Sequence, residues 1–352
     1  MSKIWLITGA NSGLGLALAK YVLAKGCKVV VTARDTAKLP SSLSAAKAVA
    51  LDLNWPDERI KAAGVEAWKA YGHIDVVANN AGYSLTGPVE ILRADDIQAQ
   101  FKSNVFGQLS LIQALIPLMR ERGSGIFYNF SSIAGFAGNS PFGAYNASKA
   151  ALEAFTEALT KEIVPFGLRA YIVEPGFFPT NFLTMAKSTE NEAFKTLYPQ
   201  FEGITEKYHA IHVKDGQVGD VDKLSARLFE VSEKPLAEGW TRIPLGPDCG
   251  QRLLAKLDVI RENVEGTYPP PFAHLINDPK RGVHPDFGVG SRIRSAASRI
   301  QPGPSRIRPP PSRFHVIFSS NSETLSRGNY IVSRSLMCYL CGPSCGIRLE
   351  RR

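Results

Sequence analysis

Apolar residues over the first 175 positions follow two alternating patterns. Short continuous runs rich in Val, Ile, Leu, Ala and Phe occupy residues 4–8, 28–32, 48–51, 74–78, 126–130 and 169–173. Among them, residues 14–25, 57–71, 94–121 and 147–164 repeat their apolar positions at three-to-four spacing. The first pattern predicts strands covered on both faces, since a half-exposed strand would alternate polar with apolar. The second predicts amphipathic helices. Strands alternating with helices, joined by right-handed crossovers, predict an α/β fold: a doubly wound parallel sheet with helices on both faces. Residues 177–235 read as mostly helical and less regular, 240–245 as one last strand and 253–264 as a final helix.

After Tyr268-Pro269-Pro270-Pro271 the character changes. A Ser-Arg-Ile theme recurs at Ser291, Ser298 and Ser305 among prolines, a composition that buries too little apolar surface to offset chain entropy. The expected organisation is a single domain over 1–268 followed by a disordered tail, 269–352. Charge follows the same division. The chain carries 41 Lys/Arg and 32 Asp/Glu, a net +9. From Lys280 onward, 13 basic residues face only Asp286, Glu323 and Glu350, which leaves 28 basic and 29 acidic residues before it. The excess charge is a property of the tail, so nucleic acid is not among the expected partners.

The composition of the whole chain, 44% hydrophobic and 21% charged, is ordinary for a globular protein. No stretch approaches the roughly 20 apolar residues of a membrane span. The N-terminus lacks a signal-peptide pattern, and Cys27 and Cys249 are too far apart to suggest a disulfide framework. The expected location is the cytoplasm, with no membrane partner. Cys338, Cys341 and Cys345 have a zinc-like spacing but no fourth ligand at motif distance, so no metal is expected.

Candidate chemistry begins at Thr8-Gly9-Ala10-Asn11-Ser12-Gly13-Leu14-Gly15, between the first strand and its helix. A glycine-rich turn opening a helix makes a diphosphate site, because backbone N–H groups and the helix dipole both face the anion. The second strand ends in Ala33-Arg34-Asp35. An acid at its tip would select NAD(H), whereas the Arg34 fork suits a 2′-phosphate. NADP(H) is therefore favoured, and Asp35 keeps NAD(H) open. Tyr145 and Lys149 stand one helical turn apart. A free phenol titrates near 10, about three units too high for neutral acid–base work, and an adjacent ammonium would lower it. Ser132 follows the strand at 126–130, which puts its hydroxyl at the carboxyl edge of the sheet, where open α/β sheets bind ligands. Each feature alone has an ordinary explanation: a tight turn, a solvated arginine, a surface Tyr/Lys pair.

Together they resemble the short-chain dehydrogenase/reductase family, over about residues 3–265. Thr8, Gly9, Gly13 and Gly15, with Asn11, Ser12 and Leu14 between them, are similar to its cofactor loop. Asn79-Asn80-Ala81-Gly82 matches a further family stretch, Asn104, Ser132, Tyr145 and Lys149 its catalytic tetrad, and Pro175-Gly176 with Thr180 its segment near the nicotinamide. Asp52 matches the acid that meets the adenine. The resemblance implies a Rossmann-type fold and an NADP(H)-dependent interconversion of a ketone or aldehyde with an alcohol. In it Tyr145 exchanges a proton with the carbonyl oxygen, Ser132 hydrogen-bonds that oxygen, and Lys149 binds the nicotinamide ribose while depressing the Tyr145 pKa. Asn104 would hold a relay water and Thr180 the carboxamide.

The resemblance also implies a homodimer or homotetramer, for which the helices at 94–121 and 147–164 are the expected interface. Residues 177–183 fall where the family places a lid. With Tyr83, Leu85, Phe136 and Phe142 they suggest an apolar small-molecule substrate. One departure is Ser12, where NADP-using members often carry a basic residue. A nucleotide-binding redox sensor without turnover is the rival function, and the retained tetrad speaks against it.

Overall fold

Strands β1 (Ile4–Thr8), β2 (Lys28–Ala33), β3 (Lys47–Ala50), β4 (Val76–Asn79), β5 (Gly125–Phe130), β6 (Leu168–Pro175) and β7 (Arg242–Leu245) form one sheet. This is a computed structural model that describes residues 2–267, apart from 183–186, 189–191, 205–206 and 208–217. The strand order is β3-β2-β1-β4-β5-β6-β7, and every neighbouring pair is parallel. The chain moves outward from β1 on one side and then crosses to β4 on the other. That reversal opens a crevice at the carboxyl ends of β1 and β4.

The continuous apolar runs are explained by what covers each face. Trp5, Ile7, Val29, Val31 and Tyr128 pack with Leu18 and Val22 of α1 (Gly13–Ala24) and with Leu224, Leu228 and Val231 of α6 (Val221–Glu233). Leu6, Val30, Val77 and Phe127 point the other way. They meet Ile60 and Ala63 of α2 (Asp57–Lys69), Leu111 and Leu115 of α4 (Gly107–Arg122), and Leu159 and Ile163 of α5 (Gly143–Ile163). Successive strand residues thus feed two separate cores, and neither face can be polar. Local signals set the helix ends. Asp57 and Glu58 occupy the first turn of α2, Gly123 ends α4 at φ 70°, and Asp220 caps α6 by accepting from the Asp222 and Lys223 N–H groups.

Most strand ends fall within one or two residues of expectation. The helix expected over 94–121 does not run through. It is α3 (Ala94–Phe101), a five-residue π-helical segment at Lys102–Phe106, and then α4. The wider segment fits because Gly107 lies against the β3–α2 loop, where a Cβ would come within 2.3 Å of the Leu53 carbonyl oxygen. The last helix, α7 (Pro247–Thr267), is longer than the expected 253–264. Leu85–Thr86 pairs in parallel with Lys187–Ser188 as a separate two-stranded ribbon. The chain divides into two units, Met1–Asn277 and Asp278–Arg352. The tail expected over 269–352, with its three cysteines, lies outside the described residues. No helix among the described residues is long and apolar enough to cross a membrane.

Candidate active site

The turn after β1 owes its shape to two glycines and to a brace from β4. Gly9 and Gly13 sit at φ 65° and 56°, in the left-handed region that side chains disfavour. A Cβ on Gly15 would lie 2.5 Å from the Gly9 carbonyl oxygen, so the loop folds back on the first turn of α1. Thr8 Oγ1 accepts from the Asn80 and Ala81 N–H groups, both at 3.0 Å, and donates to the Ala78 carbonyl. Asn80 Nδ2 returns a bond to the Thr8 carbonyl at 2.9 Å. Gly9, Asn11, Ser12, Gly13 and Leu14 then line a cavity of about 990 Å³, as do Arg34, Asp52, Ala81 and Gly82. Pro175, Gly176 and Thr180 line it as well.

Thr8 and Gly15 support this wall from behind. Asn79 does not reach it: fully buried, it donates to Asn129 Oδ1 at 2.9 Å and serves the sheet. Asn80, one residue later, is the one that lines the cavity. The alternation of a strand end sends adjacent side chains to opposite sides, which a motif match cannot assign. Asp35 is engaged locally. Its Oδ1 accepts from the Ala37 N–H at 3.1 Å, and Oδ2 pairs with Lys38 at 3.2 Å. Lys38 and Arg252 also line the cavity, and neither had a motif to mark it.

Ser132, Tyr145 and Lys149 reach the same cavity from β5 and α5. Ser132, two residues past the end of β5, caps the short helix Ile133–Phe136, accepting from the Ala134 N–H at 3.2 Å. Tyr145, in the first turn of α5, hydrogen-bonds Ser132. Burial pushes its phenol up to about 12, and the Ser132 bond works against that rise. This corrects the expectation of a phenol depressed by Lys149: in the site by itself, desolvation dominates. Lys149 is pushed down to about 8 by burial, with the Glu153 carboxylate opposing, and its Nζ donates to the Phe130 carbonyl at 2.6 Å. A protonated phenol beside a hydroxyl can donate to a carbonyl oxygen. To act as a base it needs added positive charge nearby.

Asn104 occupies the π-helical segment and is fully buried. Its amide accepts from the Tyr83 N–H at 3.1 Å and donates to the Tyr83 carbonyl at 2.9 Å and to Ser148 Oγ at 3.2 Å. A Cβ on Gly82 would lie 3.0 Å from Asn104 Oδ1 and 3.6 Å from Lys149 Nζ, so the two side chains converge on that glycine. Of the expected substrate residues, Tyr83, Phe142, Phe177 and Phe178 line the cavity. Phe182 does too, its ring 5.7 Å from that of Tyr145. Leu85 and Phe136 are corrections. Leu85 is buried in the two-stranded ribbon, and Phe136 lies under the Arg242 guanidinium, 5.3 Å from ring centre. Leu183 lies outside the described residues. Among the described residues, no cluster of His, Cys, Asp and Glu could hold a metal ion.

The family model for short chain dehydrogenases matches residues 3–191. The chain is 31% identical over 256 residues to the oxidoreductase BOA17 of Botryotinia fuckeliana, covering 71% of this chain and 90% of that protein. It is similar to the crystal structure of a short-chain dehydrogenase from Streptomyces avermitilis. That match has 34% identity and a TM-score of 0.65, and covers 75% of this chain and 95% of the other. A 3-ketoacyl-(acyl-carrier-protein) reductase from Brucella melitensis, solved with NADH, matches at 27% identity and TM-score 0.56 over 68% and 93% of the two chains. The chain belongs to the short-chain dehydrogenase/reductase family and is an oxidoreductase of the class acting on CH–OH donors.

Proposed function

We propose that the protein is an NADP(H)-dependent reductase that interconverts an apolar ketone or aldehyde with its alcohol, with Tyr145 as general acid and base. One observation carries this reading: Ser132, Tyr145 and Lys149 open into the same cavity as the glycine loop. The residues present fit a dinucleotide. Gly9 and Gly13 allow close backbone approach, and Gly13 and Leu14, the first residues of α1, face the cavity with the positive end of the helix dipole. Arg34 supplies positive charge beyond β2, while the nearby Asp35 is already spent on the Ala37 N–H and on Lys38. That favours a 2′-phosphate over a free hydroxyl. Asp52 and Ala81 would flank the adenosine half, and Thr180 with Gly176 the nicotinamide half.

When bound, the nucleotide supplies or accepts the hydride. Tyr145 Oη then gives its proton to the carbonyl oxygen, and Ser132 Oγ donates to the same oxygen and steadies its developing charge. Lys149 Nζ would hold the nicotinamide ribose and replenish the phenol's proton, with Asn104 fixing the segment through which solvent is reached. Phe142 and Phe182 pack on the Tyr145 ring and support an apolar substrate that excludes water from the reacting atoms. A homo-oligomer through the 94–121 stretch and α5 belongs to the same reading, supported by the exposed Phe106 and Phe155. So does a cytoplasmic location, supported by the free, buried thiols of Cys27 and Cys249.

The test is a panel of aliphatic and aromatic ketones and aldehydes, run with NADPH and NADH in parallel. The expected result is NADPH oxidation with an apolar ketone and a lower KM for NADPH than for NADH. Arg34→Ala should raise the NADPH KM about tenfold and leave the NADH KM nearly unchanged, the loss expected for one charge-assisted contact. Tight NADPH binding without turnover of any carbonyl would leave the redox-sensor reading in its place.

A further inference from the structure

We infer that Glu153 is a positioning residue for the reaction: it clasps the turn carrying Ser132 to the helix carrying Tyr145 and Lys149, and its charge sustains the Lys149 ammonium. The inference rests on the reductase reading for its catalytic meaning, and on geometry for the rest. Tyr145, Lys149, Glu153 and Thr156 form one stripe along α5, at spacings that put them on a common face. Each engages one residue of the end of β5 and the turn after it. Thr156 Oγ1 accepts from Asn129 Nδ2 at 2.9 Å, and Lys149 Nζ donates to the Phe130 carbonyl at 2.6 Å. Glu153 Oε1 accepts from Ser131 Oγ at 2.6 Å, and Tyr145 hydrogen-bonds Ser132. Four successive residues, 129 to 132, are held by one helix face.

Within that clasp Glu153 stands one turn beyond Lys149 and holds the neighbour of Ser132, and no room is left around it. A Cβ on Gly135 would lie 2.1 Å from Glu153 Oε1 and 2.6 Å from Ser131 Oγ. A carboxylate so buried is costly unless paired. Its partner is Arg242 of β7, whose Nη1 lies 2.9 Å from Glu153 Oε2 and 2.6 Å from Glu174 Oε1, and whose Nη2 lies 2.7 Å from Glu157 Oε1. Three carboxylates therefore share one guanidinium. Glu174 is fully buried on β6, and burial, with Arg242 opposing, pushes it up to about 7. Lys149 titrates above Glu174, so in that range the carboxylates outnumber the single guanidinium and leave net negative charge beside Lys149.

The groups facing Glu153 are thus Ser131, Arg242, Glu157, Glu174 and Lys149. Those facing Lys149 are Tyr145, the Phe130 carbonyl, Asn104 across Gly82, and Glu153. Burial drives Lys149 toward the neutral amine, and Glu153 is the charge that opposes it. A neutral Lys149 would attract a developing phenolate less and bind a ribose less firmly.

The test reads the titration of Lys149 directly, by nuclear magnetic resonance of protein labelled with carbon-13 lysine and assigned with Lys149→Met. Glu153→Gln keeps an acceptor for Ser131 and removes the charge, so the Lys149 midpoint should fall by about one pH unit. Ser131→Ala keeps the charge and removes the clasp, and should leave the midpoint in place. An unchanged midpoint in Glu153→Gln overturns the inference, as does a merely lower melting temperature with no shift. Should Glu153→Gln fail to fold, the neutral pair Glu153→Gln with Arg242→Met removes the nearer charge together with its counter-ion, so the midpoint should still fall, and no fall would overturn the inference. NADPH titrations by fluorescence form the second arm. In Glu153→Gln the loss of NADPH affinity with rising pH should begin about one unit lower. The midpoint needs neither nucleotide nor substrate, so a reductase reading that fails leaves it standing or falling by itself.

Discussion

An ammonium and a phenol buried side by side give the protein a stability whose slope with pH changes sign. Lys149 titrates near 8 in the folded chain against 10.5 for a free lysine, so between those values the unfolded state binds more protons. Stability should therefore rise with pH from about 8 to 10.5 as far as Lys149 is concerned. Tyr145 runs the other way. Its folded value near 12 exceeds the free value of 10.0, the unfolded state loses its proton first, and stability falls across that upper window. Lys149→Met should abolish the rise and add up to about 3 kcal/mol at pH 7, the burial cost of the charge. Urea melts at half-unit pH steps would check this, and a rise that persists in Lys149→Met would refute the assignment. Residue types at this scale were legible in the sequence, and their directions were not. Asn79 and Asn80 belong to one motif, yet the pleat sends the first to Asn129 and the second to the cavity.

At the scale of elements, the strands were legible because both faces of the sheet are covered, which leaves no polar position to blur a run. The break at Lys102–Phe106 was not, since no glycine or proline precedes it and its apolar spacing continues into α4. A π-helical turn is set by tertiary contact: Asn104 is drawn inward to Tyr83, and Gly107 lets the next turn meet the Leu53 carbonyl. Pro117 sits inside α4 without ending it, the converse case. Gly107→Val should cost about 2–3 kcal/mol through overpacking against main chain that cannot retreat. The same substitution should weaken NADPH binding, because the displaced segment carries Asn104. Denaturant unfolding and fluorescence titration measure the two effects, and a stability within 0.5 kcal/mol of the parent, about the range of a neutral surface change, would rule out the close contact.

At the scale of the whole molecule, every described residue that lines the cavity falls between Gly9 and Arg252, within a stretch of nearly balanced charge. Truncation after residue 268 should leave a protein with the same melting temperature within about 2 °C, the shift left by a change of under 1 kcal/mol. NADPH affinity should also be unchanged. Calorimetry and nucleotide titration of the shortened chain test this, and loss of either property would assign residues 269–352 a part in the folded unit. The fold class was legible at this scale from the alternation of patterns alone, while the three-carboxylate cluster on Arg242 was not, because Glu153, Glu157, Glu174 and Arg242 come from three elements with no motif to join them.

In the proposed reaction the Tyr145 hydroxyl, bonded to Ser132, moves the proton. Tyr145→Phe keeps the ring that packs against Phe182 and removes only the oxygen. With any carbonyl that the parent protein reduces, NADPH affinity and melting temperature should stay close to the parent and turnover should fall about 10²–10⁴-fold. Turnover within tenfold of the parent would contradict that role.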